Sequence, residues 1–449
     1  MSQRKEMLMK NIEYIGFDDL NGRPGFQMAM YKTPEEKYYI YTASFRHNGW
    51  NIIDVTDPAA PRNVKWLEGP NPYGNEAAST PKIQIADGLM ITAHGGTMKE
   101  LHGTEPGMPF WGGITVWSLE DPENPQELGK FECRGGAGVH RFCYPGGRYV
   151  YVTGNAENFN GFILRIVDIK DPSAPQEVGR WWADEQFMGN KAGDAARYGS
   201  AEALHSPFLH ACLYKDEILY MAYANKGMIL LDVKDKTAPR MIGCLPMNPP
   251  FGGGSAGAPC HSIMPLGDRP YMVVTTEGER PRYFCNEAED GLFKKIVTQP
   301  MNMIGIAEIT DPADPSLISV FPYPEVPEGY THGTNFNIVD GVRIPFGPHN
   351  IFDAIHGDVY EHRDDRVYCC HFGAGLRIYD VSDPFVPKEI AYFMPPDPEK
   401  LLFDNPTHDL VPGPQVAITE DVLVDDRGYI YLDTFMDGLY IVRYTGDDK

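Results

Sequence analysis

Hydrophobic and polar residues alternate in short runs along most of the chain, and the clearest runs lie in the stretch Leu209–Gly243. Alternation with a period of two is the pattern of a β-strand that buries one face. The pattern predicts a first strand on the short apolar run that carries His210 and precedes the turn Lys215–Glu217, followed by strands at Ile218–Ala222, Met228–Val233 and Met241–Leu245. Because tight turns separate these strands, the stretch predicts one four-stranded antiparallel sheet.

A strand that runs into an Asp-Pro-x-x-Pro turn marks six copies of this unit, of which the fourth lacks the first Pro. The copies are Asn51–Pro61, Ile114–Pro125, Leu164–Pro175, Ile229–Pro239, Ile304–Pro315 and Leu376–Pro387. Aspartate can accept hydrogen bonds from backbone amides just downstream, and proline fixes φ, so the motif predicts a rigid turn. These aspartates are therefore interpreted as turn formers and not as catalysts.

A seventh copy, Tyr429–Tyr444, lacks the turn and the fourth strand, and residues 11–17 resemble the missing strand. An N-terminal strand that completes the last sheet would close a ring and remove two exposed sheet edges. The sequence therefore predicts an all-β fold, a seven-bladed β-propeller of four-stranded antiparallel blades, as a single domain over residues 1–449. The predicted blades are 26–67, 81–132, 138–182, 208–245, 260–321, 348–394 and 415–444, with 11–17 as the closing strand.

The third strand of two blades reads LRIVD (Leu164–Asp168) and LRIYD (Leu376–Asp380). With the repeated Asp-Pro turn, these strands make nearly the whole chain resemble the LVIVD-repeat family. The resemblance implies a propeller, but it implies little about activity, because one fold serves many functions.

Composition narrows the classes of partner. The formal net charge is −23 and no basic stripe offsets it, which argues against binding to nucleic acid or to an anionic membrane. No apolar run is long enough for a transmembrane helix, and the N-terminus lacks the apolar core of a signal peptide. The eight cysteines lack CxxC spacing, so they are expected to be free thiols in the cytoplasm.

Four consecutive blades begin their innermost strand with a histidine. These residues are His140, His210, His261 and His349. The innermost strands of a propeller line its channel, and here they start on the face that carries most of the long loops, such as 183–207 and 278–303. We therefore expect the four imidazoles to converge at one mouth of the channel.

Clustered neutral imidazoles favour a metal site, because imidazole is the commonest metal ligand and protonated rings would repel one another. Nitrogen donors suit divalent transition metals such as Fe(II), Mn, Co, Cu or Zn better than Ca²⁺ or Mg²⁺. Two alternatives stay open: the histidines pack the channel, or they perform acid–base chemistry without a metal.

Other residues are assigned to the site by their expected position. Glu277 ends a second strand on the same face and is predicted to orient an imidazole or act as a base, and His205 is a second catalytic candidate in a loop. The predicted substrate contacts are Arg141, Lys82, His94, His371 and Glu420. His356 and His362 lie in an insertion, 353–364, on the opposite face and are not assigned to the site.

The sequence favours a metal-dependent lyase or hydrolase that acts on a small polar or phenolic organic molecule. A mononuclear non-haem iron oxygenase is an alternative, since four converging histidines resemble the iron site of carotenoid- and stilbene-cleaving propellers, whose local motifs this chain lacks. A non-catalytic propeller that binds a protein or peptide on its loop face is the other alternative. The oligomeric state is not indicated by the sequence.

Overall fold

A computed structural model describes most of the chain. The described residues are 4–44, 47–70, 72–73, 79–95, 109, 111–134, 138–189, 207–247, 260–277, 303–333, 336, 338–339, 342–343, 346–399, 416–435 and 437–446. Within them, helix is limited to three short 3₁₀ turns, Leu20–Gly22, Asp184–Gln186 and Ala224–Lys226. No helix among these residues is both long and apolar enough to cross a membrane.

The strands of the described residues follow one another in chain order. They are β1 (Leu8–Lys10), β2 (Ile12–Asp18), β3 (Gly25–Lys32), β4 (Tyr38–Ser44), β5 (Gly49–Asp54), β6 (Arg62–Glu68), β7 (Ser79–Ala86), β8 (Leu89–Gly95), β9 (Gly113–Ser118), β10 (Gln126–Glu132), β11 (Val139–Cys143), β12 (Tyr149–Gly154), β13 (Ile163–Asp168), β14 (Gln176–Trp181), β15 (Ala211–Lys215), β16 (Ile218–Ala222), β17 (Met228–Asp232), β18 (Arg240–Leu245), β19 (Ser262–Pro265), β20 (Tyr271–Thr275), β21 (Ile304–Glu308), β22 (Ser316–Val320), β23 (Ile338–Val339), β24 (Val342–Arg343), β25 (Arg366–Cys370), β26 (Leu376–Asp380), β27 (Lys388–Met394), β28 (Thr419–Val424), β29 (Tyr429–Thr434) and β30 (Leu439–Tyr444).

Apart from the small β23–β24 hairpin, these strands form seven four-stranded antiparallel sheets, which confirms the predicted seven-bladed propeller. The first five blades are runs of four consecutive strands, from β3–β6 to β19–β22. The sixth contains β25, β26 and β27, and Ile351 bridges to Cys369 in the place of a regular innermost strand. Apolar side chains of neighbouring blades pack against each other; for example, Leu164 of the third blade lies in one cluster with Leu219 and Leu231 of the fourth.

The N-terminal segment closes the ring as predicted. Strand β2 pairs antiparallel with β30, from Ile12 opposite Tyr444 to Asp18 opposite Leu439, and completes the seventh blade. One feature was not predicted: β1 pairs with β27, with Leu8 opposite Met394, and adds an outer strand to the sixth blade. The N-terminus therefore covers the outer edges of two neighbouring blades.

In five blades the repeated turn also contacts the outer strand of the blade before it. Glycines in three outer strands, Gly129, Gly179 and Gly243, approach the backbone of the turn in the next blade so closely that a Cβ would collide with a carbonyl oxygen. Gly16 in β2 meets Pro58 O of the first blade in the same way. In the fifth blade a serine takes this position, and its hydroxyl, Ser319 Oγ, donates to Pro384 O at 2.6 Å.

Replacing Gly179 with valine is therefore expected to destabilise the protein by about 1–3 kcal/mol, because the new side chain must displace the Lys236 carbonyl of the next turn. Urea-induced unfolding would measure this change. Ser319→Ala is the matched control, because a Cβ is already present at that position. We expect it to lower the free energy of unfolding by about 1 kcal/mol, the contribution of one hydrogen bond. Equal stability of Gly179→Val and the wild type would show that the contact between blades is not close.

The insertion of the sixth blade crosses the end of the channel. We call residues 353–364 the plug. The Tyr360 hydroxyl accepts a hydrogen bond from Met30 N at 3.0 Å, in the first blade. Glu361 N donates to Val424 O at 3.0 Å, in the seventh blade, and the ring of His356 bonds to the backbone of Tyr214 in the fourth. The plug therefore contacts three blades and narrows this end of the channel.

Candidate metal centre

One polar residue stands at the start of the innermost strand of each blade. We call these residues the polar ring: Gln27, Lys82, His140, His210, His261, His349 and Glu420. The pairing of β11 with β12 shifts register between Val139 and Arg141, at His140, and that of β28 with β29 shifts at Glu420. Such bulges change the direction of a side chain at the end of a strand. All members of the ring are buried except His140, which is partly exposed.

The structure brings the four histidines together in a row. The ring centroids are 4.5 Å apart for His140 and His210, 4.0 Å for His210 and His261, and 4.8 Å for His261 and His349. Blades three to six therefore contribute neighbouring imidazoles, as the sequence predicted.

The first two histidines are held in defined tautomers by their partners. His210 Nδ1 lies 2.8 Å from the carbonyl oxygen of His261, which can only accept, so Nδ1 carries the proton. Burial lowers the pKa of His210 well below its usual value, so the ring is neutral and its Nε2 is an acceptor. His140 Nε2, 2.8 Å away, donates to it. His140 and His210 thus form a hydrogen-bonded pair.

The other two histidines form a three-residue group with Glu277. Potential ligand atoms of His261, Glu277 and His349 all lie within 4.8 Å of one another, and all three residues are buried. His261 Nδ1 lies 2.7 Å from Ser262 Oγ, and His349 Nδ1 lies 3.1 Å from both the backbone oxygen and the Oε1 of Glu420. Nδ1 of each ring is thus occupied by an oxygen partner, so Nε2 is the nitrogen that can coordinate an ion.

The sequence predicts one ligand set of four histidines, whereas the structure contains a hydrogen-bonded pair, His140 and His210, and a group of His261, His349 and Glu277. The Nε2 atoms of His140 and His210 lie 2.8 Å apart, and neither residue belongs to the group whose ligand atoms lie within 4.8 Å of one another, so a ligand set of four histidines stays a prediction. Glu277, predicted as an orienting group or base, lies instead among the possible ligands. Ser262 and Asn350 were not predicted; each directly follows a histidine of the row, and this adjacency was the available signal.

Aromatic side chains form the walls around the row. Phe162 stacks on His140 with centroids 5.5 Å apart, and Phe372 stacks on His349 at 4.5 Å. Phe26 lies 6.2 Å from His349 and beneath the Lys82 ammonium, which is 3.7 Å from the Phe26 ring centroid. These contacts give the site apolar sides suited to an organic molecule with a ring or short chain.

Charged residues lie next to the row in the channel. Arg141 donates to the side-chain oxygen of Asn350 on the opposite side of the propeller, and Asn350 Nδ2 donates to Glu420 O at 2.9 Å. Burial lowers the pKa of Lys82 well below its usual value, and Arg141 lowers it further. Burial raises the pKa of Asp421 to about 7, although Met28 N donates to its carboxylate at 2.8 Å. The channel therefore holds buried ionisable groups of both signs.

The remaining candidates occupy other places. His94 is fully buried between Trp50 and Trp111, its Nε2 contacts Thr92 and Thr115, and burial lowers its pKa to about 3. His371 contacts the Tyr379 hydroxyl at 3.2 Å, and burial lowers its pKa to about 3 as well. These contacts show that both rings pack inside the blades. Their predicted role as substrate contacts stays a prediction. His205 lies outside the described residues.

Comparison with known families matches residues 146–182, which form most of the third blade, to the LVIVD repeat. The same strand and turn recur around the seven-bladed ring described above. The chain is a seven-bladed propeller that contains an LVIVD repeat.

This LVIVD-repeat propeller also resembles solved structures of low sequence identity. It shares 8% identity and a TM-score of 0.52 with a periplasmic gluconolactonase from Pseudomonas aeruginosa, covering 91% of this chain and 100% of that one. A structure of the mitotic checkpoint complex shares 7% identity and a TM-score of 0.53, and the match covers 98% of this chain and 96% of that one. A hypothetical selenium-binding protein from Sulfolobus tokodaii shares 14% identity and a TM-score of 0.49, and the match covers 90% of this chain and 91% of that one. At such low sequence identities the likeness to these structures shows the fold alone. A search of curated proteins found no match to the sequence.

Proposed function

We propose that this LVIVD-repeat propeller is a metal-dependent enzyme of the lyase or hydrolase type, which acts on a small organic molecule at the row of histidines. The observation that supports the proposal is the buried group His261, Glu277 and His349, whose potential ligand atoms lie within 4.8 Å of one another. The gluconolactonase that shares this architecture is an example of an enzyme on the fold.

The residues present fit a divalent transition metal. Two imidazole nitrogens and one carboxylate are a donor set found at catalytic zinc and at non-haem iron, with a position left for water or substrate. Ca²⁺ and Mg²⁺ prefer a shell of oxygen atoms, which this group does not supply. Ser262 and Glu420 hold the outer nitrogens of His261 and His349, as partners of metal-binding imidazoles commonly do. Iron, manganese, zinc and copper remain the candidates.

A bound ion would act as a Lewis acid toward a substrate oxygen or a water molecule. The protein's own residues bind and orient the substrate around that position. Phe162 is partly exposed and stacks on His140, so it offers an apolar surface beside the row that suits a phenolic ring, whereas the buried Phe372 supports His349 from behind. Arg141 contributes positive charge close to the row and favours an anionic oxygen there. The His140–His210 pair can hold or pass one proton along its contact between Nε2 atoms.

A mononuclear iron oxygenase is the second candidate function. Two histidines and one carboxylate with open positions are also the donor set of non-haem Fe(II) oxygenases. The identity of the metal separates the two candidates, since zinc would exclude the redox chemistry of an oxygenase.

Elemental analysis of the purified full-length protein tests the proposal. After incubation with Fe(II), Mn(II), Zn(II) or Cu(II) and removal of excess ion, we expect about one equivalent of one metal per chain, as for a single three-ligand catalytic site. A chelator should remove it. If no candidate metal remains bound at close to this ratio, the metal-dependent function is wrong, and the protein-binding alternative becomes the better account.

A further inference from the structure

A small polar cavity lies in the channel between the polar ring and the plug. We call it the chamber. Its volume is about 40 Å³, and because a water molecule needs roughly 10–15 Å³ of such space, it has room for about two or three. The residues that line it include Gln27, Asp353, Asp421, Cys143 and Cys212.

Two buried polar atoms near the chamber lack a hydrogen-bond partner in the described part of the chain. They are Nε of Arg141 and Nε2 of His356. Buried polar groups are rarely left unpaired, and ordered water is the usual partner where protein atoms supply none. The size, polar walls and unpaired atoms together indicate that the chamber contains water.

On the other side of the plug lies a larger pocket with a volume of about 950 Å³. Turns between the first two strands of the fourth and fifth blades line it, including Asp216 and Asp268, together with His362 and Asp364 of the plug. These turns lie on the face opposite the polar ring, because the innermost strands run from that ring toward them. The pocket is therefore a solvent-filled depression on the far face of the propeller.

Four consecutive residues of the plug separate the chamber from this pocket. Asp353 and Ala354 line the chamber, Ile355 lines the pocket, and His356 lines both. The His356 ring thus stands in the partition, with one side fixed to the backbone of Tyr214 and a buried Nε2 that has no protein partner. Burial lowers the pKa of His356 to about 4, so the ring is neutral near pH 7. Because its other nitrogen donates to the Tyr214 backbone, Nε2 can accept a hydrogen bond from water.

We infer that the protein has a second solvent route, in which the His356 ring gates the passage of water and protons between the far-face pocket and the chamber. Beyond the chamber, the route passes beside the Arg141 guanidinium, which interacts with the carboxylates of Asp353 and Asp421 and directly follows His140 of the row. Water or a proton can thereby enter or leave while a substrate occupies the loop side of the channel. The route does not depend on a metal in the polar ring.

Two cysteines of the chain allow a test that needs neither metal nor substrate. Cys143 packs between the third and fourth blades and also lines the chamber, whereas Cys133 is equally buried between the second and third blades and is not among the residues that line the chamber. Burial raises the pKa of each thiol to about 12, and the rate of each thiol is compared with its own rate in the wild type. Methyl methanethiosulfonate, a small reagent that modifies thiolates, would report access to each, measured by peptide mass spectrometry.

In His356→Ala we expect Cys143 to react at least about tenfold faster than in the wild type, while Cys133 is unchanged, because only the local opening is altered. In His356→Phe, which refills the partition, Cys143 should react no faster than in the wild type. His362→Ala is the control for an exposed change in the same plug and should leave both rates unchanged.

The inference is overturned if His356→Ala leaves the Cys143 rate unchanged. It is also overturned if Cys133 accelerates equally, or if His356→Phe accelerates Cys143 as much as alanine does, because the reagent would then enter through general loosening of the fold. None of these results bears on whether the polar ring binds a metal, which elemental analysis decides separately.

Discussion

Replacing His261 with alanine is expected to weaken the binding of a divalent transition metal by about a hundredfold or more, since partners outside the ligand shell alone are worth about 10–100-fold. His261 belongs to the buried group with Glu277 and His349, and its removal would leave a single imidazole and one carboxylate. Glu277→Gln, which keeps the shape but removes the charge, should weaken binding to a similar degree. Isothermal titration of the metal-free protein measures each affinity, and circular dichroism checks that each variant is folded.

His210→Ala distinguishes the three-residue group from a ligand set of four histidines. His210 donates Nδ1–H to His261 O and accepts from His140 at Nε2, so both of its nitrogens have partners within the protein. We therefore expect its loss to cost less affinity than the loss of His261, and His362→Ala on the far face to cost nothing. Equal losses of metal affinity in His210→Ala and His261→Ala would support the four-histidine site. An unchanged affinity in His261→Ala would contradict both arrangements.

The fold was predictable because its signal is repeated along the chain. Each Asp-Pro turn marks the end of a third strand, and the missing strand of the last copy pointed to the N-terminus, where β2 pairs with β30. Strand β1 was not predicted, since Leu8–Lys10 has no alternation of its own and pairs only because β27 offers an edge beside it. The role of Gly179 was hidden for a similar reason, because its neighbour is the turn of another blade.

The row of histidines was predictable from one structural fact, namely that equivalent positions of consecutive blades are neighbours in a propeller. The division of the row was not, because it depends on which acceptor each Nδ1 meets: a backbone carbonyl for His210 and a serine hydroxyl for His261. His356 was set aside because its insertion lies on the far face. Its contact with the channel arises from the path of the plug, which the local sequence does not encode.

Deleting residues 1–18 is expected to prevent the protein from folding to a stable monomer. The deletion removes β2, whose pairing with β30 is the only backbone connection that closes the ring in the described part of the chain, and exposes the β30 edge. It also removes Ile12 from the core cluster that joins the first, sixth and seventh blades. A loss of more than about 5 kcal/mol is expected, which is comparable with the whole stability of many domains. Size-exclusion chromatography and thermal unfolding would measure the result.

A deletion of residues 1–10 is the matched control, because it removes β1 but keeps β2 and the closed ring. It should give a monomer of moderately lower melting temperature, having lost the β1–β27 pairing and the hydrogen bond from Arg4 N to Asp397 at 2.6 Å. A peptide of residues 11–19 should restore folding to the longer deletion by pairing with the β30 edge. If the chain without residues 1–18 is a monomer as stable as the control, ring closure contributes little, and the packing between adjacent blades alone holds the propeller together.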